Sequence, residues 1–140
     1  MGNLATSLWF FPAISKFIHS VRGINFNDVS SVFISRGVVL DNRYPELITI
    51  CEDVWLTQNV VVSSHSYCSR LQHTMYELHE HVAPVHIEKG VFVGTGSIIL
   101  PGVTLGEACY IGAGSVVTKS ISAGMLAVGN PCREIRPLKL

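Results

Sequence analysis

From residue 87 onward an aliphatic side chain returns at every sixth position: Ile87, Val93, Ile99, Leu105, Ile111 and Val117. Ile, Leu and Val supply 41 of the 140 residues, so six unbroken matches arise by chance on the order of once in a thousand frames. The fifth position of each block holds Val91, Ser97, Val103, Cys109, Ser115 and Ile121, all small or β-branched. Glycine follows the head at Gly94, Gly106 and Gly112. An earlier run obeys the same rule, with Ile50, Leu56 and Val62 as heads and Val54, Val60 and Ser66 in the fifth column. Ile34 and Leu40 read as a ragged first turn.

A period of six fits neither a helix nor a simple two-residue alternation. It fits a flat strand of a few residues followed by a corner, three times per coil. Heads then point inward and stack eighteen positions apart, Val93 on Ile111, Ile99 on Val117 and Ile87 on Leu105, so each coil buries what its neighbour would expose. Glycine after the head relieves a corner where a side chain would crowd the turn or where φ must be positive. The pattern predicts an all-β chain wound as a triangular prism.

Between residues 63 and 85 the six-residue rule fails, and a loop must leave the prism. This insert holds four of the six histidines, His65, His73, His79 and His81, with His86 just beyond it. The flat faces of a solenoid make active sites poorly, so an excursion that brings polar groups over a neighbouring face is the natural place for chemistry. A lid, or a clasp between subunits, is the competing reading of the same loop. His65 lies three residues past the head Val62, close enough to the coil to be held rigidly. Imidazole titrates near neutrality and suits a general base.

Residues 4–22 are rich in Trp, Phe, Ile and Leu, with Leu8, Trp9, Phe11, Ile14, Phe17, Ile18 and Val21 near helical spacing. The stretch lacks a basic leader, and Pro12, Lys16 and His19 interrupt it, so it reads as neither a signal peptide nor a membrane span. A helix capping one end of the domain, or a subunit contact, is expected. Peripheral membrane contact is the lesser alternative.

Lys plus Arg and Asp plus Glu both total 10, so no global field draws the chain to nucleic acid. Charge is local instead: from Thr118 to the end, Lys119, Arg133, Arg136 and Lys139 face one acid, Glu134. The four cysteines, Cys51, Cys68, Cys109 and Cys132, show no CxxC spacing, which favours a reduced, cytoplasmic setting. At 48% hydrophobic and 14% charged residues, the composition suits one domain over 1–140. Its expected parts are a cap segment (1–24), coils (34–122, with the loop at 63–85) and a C-terminal segment (123–140).

The run IEKGVFVGTGSIILPGVTLGEACYIGAGSVVTKSI, followed by AVGNPCREIR, resembles the hexapeptide-repeat acyltransferases, most closely the maltose, galactoside and exopolysaccharide O-acetyltransferase branch. The resemblance implies a left-handed parallel β-helix, an exception to the usual right-handed crossover. It also implies transfer of acetyl from acetyl-CoA to a sugar hydroxyl, with no metal required. SSHSYC resembles the family's catalytic approach, which makes His65 the base. Thr95 and Ala113, on adjacent coils, are implied acetyl-CoA contacts; Thr118 and Lys119 extend the same edge, and Arg133 and Arg136 match the family's remaining CoA-contacting arginines. Asp41 and Asn42, in LDNRYPELITI, are the acceptor-binding candidates, and that phrase is similar to enzymes acting on surface polysaccharides or their precursors. A homotrimer with sites between subunits is implied. Two other readings stay open: a non-catalytic β-helix assembly module, and a zinc-dependent gamma-class carbonic anhydrase, a metal reading raised by His79, His81 and His86, in which His81 and His86 would imitate the family's paired ligands but Pro45 stands where the upstream third would be sought.

Overall fold

The computed structural model describes residues 12–139. Three sheets carry the hexads. The first stacks Asn25–Phe26, Ile48–Ile50, Val85–Ile87 and Thr104–Leu105; the third stacks Val39–Leu40, Val61–Val62, Ile98–Ile99 and Val116–Val117. The second stacks Phe33–Ile34, Trp55–Leu56, Phe92–Val93, Tyr110–Ile111 and Met125–Val128, closed by Arg133–Pro137 as an antiparallel hairpin partner. The chain visits the three sheets in rotation, and every pairing between coils is parallel. Val93 pairs with Ile111, Ile99 with Val117 and Ile87 with Leu105, the register expected of an eighteen-residue coil.

The heads form the core. Every head from Leu40 to Val117 is at most 1% exposed, and Ile34 is buried at 8%. Outward positions of the second sheet stack aromatic rings along the coils, Phe33 on Trp55 at 4.8 Å and Phe92 on Tyr110 at 4.5 Å. Ladder bonds such as Trp55 N–H to the Val91 carbonyl (2.9 Å) satisfy the backbone from coil to coil.

Several expectations shift. The coils begin before residue 34, since Ile24 and Val32 are buried and Asn25–Phe26 already pairs with the next coil. Ser66 is exposed and not in a fifth-column slot, because the chain has left the coil and pairs antiparallel with His81. Ile121 takes a head's place opposite Leu105, two positions early, and Ala127 then meets Ile111. The step from Val117 to Ile121 is therefore four residues instead of six.

Glycine after the head is required by crowding and not by φ. A Cβ on Gly94 would lie 2.4 Å from the Ala113 nitrogen of the next coil. Left-handed backbone falls two positions later, at Gly96 (φ 71°), and the equivalent position of another hexad is Ala108 (φ 54°).

The cap helix α1 spans Pro12–Val21 and ends on Gly23 (φ 105°), with Gly23 N–H bonded to the Ser20 carbonyl and Ile24 N–H to the His19 carbonyl. It packs by the face that carries Ser15 and His19. Ser15 and His19 are buried, whereas Phe17 and Val21 are 68% and 61% exposed. Polar anchors decide this: Lys16 Nζ donates to the carbonyls of Val29 and Ser30, and His19 lies against Arg22. Leu8, Trp9 and Phe11 lie outside the described residues. Among the described residues no helix is long and apolar enough to cross a membrane.

The excursion leaves after Val62. It forms the antiparallel pair His65–Ser66 with His81–Val82, then helix α2 (Arg70–Tyr76), capped by the Ser69 hydroxyl on Gln72 N–H with Gln72 returning to Ser69 N–H. It rejoins the first sheet at Val85, whose strand stacks on Ile48–Ile50.

Candidate active site

His65 and Asp41 meet where the third sheet turns toward the first, one coil apart. Asp41 follows the head Leu40, and its N–H bonds to the Val62 carbonyl (2.9 Å). Its carboxylate faces inward with no exposure. One oxygen accepts the N–H of Arg43 (2.8 Å) and of Tyr44 (3.3 Å). The other accepts Ser64 N–H (2.8 Å) and His65 Nδ1–H (2.5 Å). Burial alone would raise this carboxyl, but the N–H groups of Arg43 and Ser64 and the His65 ring outweigh it and hold it well below the usual carboxylate range.

An ionised carboxylate only accepts, so Nδ1 of His65 carries the proton and, in the neutral ring, Nε2 is left as the acceptor. That is the tautomer a general base requires. Neighbours fix the ring: Ser63 Oγ donates to the His65 carbonyl (2.7 Å), and the rings of Tyr67 and Tyr44 meet it edge-on at 4.6 and 5.7 Å. Ser64, fully buried, donates its hydroxyl to the Tyr44 carbonyl (2.9 Å).

These groups border a depression of about 330 Å³ whose wall includes Asn42, Arg43, Val61, His65 and Tyr67. Arg43 donates to the Tyr67 hydroxyl (2.8 Å) and pairs with Glu80 at 3.5 Å, tying the excursion to the turn after Leu40. Asp41, expected to meet the acceptor, instead spends its oxygens on His65 and the turn. Asn42 lines the depression while its Oδ1 accepts from Arg22. Tyr44, Ser64 and Tyr67 were missed by sequence reasoning, and only their closeness to Asp41 and His65 in the chain pointed to them.

The expected cofactor contacts divide between two edges. Thr95 and Ala113 sit on adjacent coils at the corner between the second and third sheets; Gly114 N–H bonds to the Thr95 carbonyl (2.8 Å), and the Thr95 hydroxyl lies 3.4 Å from that of Thr57. Thr118 and Lys119 do not extend that edge. They follow Val117, at the corner between the third sheet and the first, because the intervening strand Val116–Val117 carries the chain across a whole face. This is the corner His65 occupies. Lys119 and Arg133 line one depression of about 300 Å³ with Glu134, whose carboxylate accepts Ser122 N–H at 2.6 Å. Arg136 lies on the closing hairpin strand opposite Leu126.

The other histidines scatter. His73 lies against the Leu78 carbonyl (2.7 Å) and edge-on to His79, while His81 pairs with Ser66 and His86 stands on the first sheet beside Thr104. Among the described residues no three His, Cys, Asp or Glu side chains gather as metal ligands would.

Residues 84–119 match the family model described as bacterial transferase hexapeptide (six repeats). The galactoside O-acetyltransferase of Escherichia coli K12 is 38% identical over 95 residues, 65% of this chain and 44% of that protein. A hexapeptide-repeat acetyltransferase of Vibrio cholerae O1 biovar eltor, solved with acetyl-CoA, superposes with a TM-score of 0.72 at 28% identity, over 84% of this chain and 61% of that one. A maltose O-acetyltransferase of Clostridium difficile 630 gives 0.67 at 28% identity, over 90% and 75%. The chain spans less than half the length of the sequence relatives it matches.

Proposed function

Since the chain carries the transferase hexapeptide repeat and resembles the galactoside and maltose acetyltransferases, we propose that it moves an acetyl group from acetyl-CoA to a hydroxyl of a sugar or polysaccharide precursor. The coil is read with it as left-handed. The carrying observation is the Asp41–His65 pair at the lip of an open depression.

In this reading Nε2 of His65 takes the acceptor hydroxyl proton as its oxygen attacks the thioester carbonyl. The new C–O bond forms, the C–S bond breaks, and the imidazolium returns its proton to the departing CoA sulfur. Asp41 holds the ring and offsets the charge that the imidazolium gains. Lys119, Arg133 and Arg136 supply cations for the cofactor phosphates, and Thr95 and Ala113 leave an open corner for its extended arm.

Because Thr95 and Ala113 stand on a different edge from His65, Thr118 and Lys119, one copy cannot join them in a single groove. Packing three copies in parallel brings one edge of each against the other edge of its neighbour, giving a homotrimer with sites between subunits.

CoA release by purified protein, measured across sugars, amino sugars and nucleotide sugars, tests the reading. Acceptor-dependent release is expected, reduced at least ~100-fold in His65→Ala. Absence of release with every acceptor, or full turnover in His65→Ala, overturns it.

A further inference from the structure

The turn that carries Asp41 is held from outside the coil by Arg22, which neither touches His65 nor lines the depression itself. Arg22 lies one residue past α1, where its backbone N–H still bonds to the Ile18 carbonyl (3.0 Å) and Gly23 ends the helix. Its side chain reaches across to the third-sheet corner. Nη2 donates to the carbonyls of Leu40 (3.2 Å) and Asp41 (2.8 Å) and to Oδ1 of Asn42, and Nη1 lies 3.0 Å from Nδ1 of buried His19.

Asp41 is thereby gripped at both ends. Its carbonyl is fixed by Arg22, and its carboxylate by the Arg43, Tyr44 and Ser64 N–H groups and by the His65 ring. Rotation of the 40–42 peptides would swing the carboxylate away from Nδ1, and the guanidinium holds this turn through Nη2 while Nη1 meets His19, two separate nitrogens where an ammonium offers one. We propose that Arg22 is a positioning residue for the Asp41–His65 pair, locking the 40–42 turn so that the carboxylate meets the imidazole. The proposal rests on His65 being the base, and it gives α1 a part in the chemistry through its C-terminal end.

The direct test is the tautomer of His65, read by long-range ¹H–¹⁵N correlation on the full-length protein, with melting followed alongside. Wild type is expected to show one neutral tautomer, protonated at Nδ1. Arg22→Ala and Asn42→Ala should populate the Nε2-protonated form, and Arg22→Lys should fall between them and wild type. With acetyl-CoA and maltose as probes, Arg22→Ala should lower kcat about 10- to 100-fold while KM for acetyl-CoA stays within about twofold. An unchanged single tautomer in folded Arg22→Lys and Asn42→Ala overturns the proposal, even if Arg22→Ala fails to fold. The tautomer reading does not depend on turnover, so a wild type that shows the Nδ1-protonated ring but no acetyl transfer sinks the functional reading, whereas an unshifted ring in the folded variants sinks this one.

Discussion

Oδ2 of Asp41 and Nδ1 of His65 lie 2.5 Å apart, joining two successive coils at one corner. The pair defines which ring nitrogen faces the depression. Asp41→Asn presents an amide whose NH2 no longer accepts from Nδ1, so the imidazole turns or changes tautomer. The expected result is a loss of at least ~100-fold in kcat with little change in KM for acetyl-CoA, read by steady-state kinetics.

A second prediction concerns acid stability. Burial, then the neighbouring Arg22 cation, lowers the His19 imidazole from 6.5 to about 4. The folded chain therefore resists a proton that the unfolded chain accepts, so this contribution is complete above pH 6.5 and is lost as pH falls through about 4. Urea melts of wild type should weaken across that window, and a folded His19→Gln variant should lack that portion of the slope.

Two neighbouring glycines separate two physical demands. Gly94→Ala drives a Cβ to 2.4 Å from backbone of the next coil, whereas Gly96→Ala enters open space and meets only a positive φ of 71°. Overpacking against backbone is expected to cost about 3 kcal/mol, and the φ strain about 1 kcal/mol. Chemical denaturation that ranks the two in reverse order would contradict this account of the corner.

The split between edges predicts complementation. His65→Ala and Ala113→Trp should each be inactive alone, yet unfolding and refolding them together should return about a quarter of wild-type activity, the share of randomly mixed neighbours with both edges intact. No recovery from a refolded mixture would place all these residues on one subunit's site.

The coils were legible in the sequence because a single column, from Ile87 to Val117, has no choice but to face inward at every hexad. The excursion was legible as the place where that column stops. What escaped was the periodic left-handed corner, since glycine, asparagine, aspartate and even Ala108 fill it and no one residue type marks it. The partner of His65 escaped for another reason: the coil, not the chain, brings position 41 beside position 65. The chain offers Asp41 as an acceptor-binding candidate, but only the register of Leu40 with Val62 turns it toward the ring. Which side of α1 faces the coils was not legible, because hydrophobic spacing says nothing of Lys16, His19 and Arg22 anchoring the polar side.

The strand Val85–Ile87 resumes on Ile48–Ile50 as though residues 63–84 had never intervened. The inserted stretch is thus a cassette clipped into the winding without disturbing its phase. Past Tyr67 its length and composition can drift while the aliphatic column, the His65 approach and the Lys119 corner keep their spacing. Diversification of what approaches His65 is in this way uncoupled from preservation of the shaft that carries it.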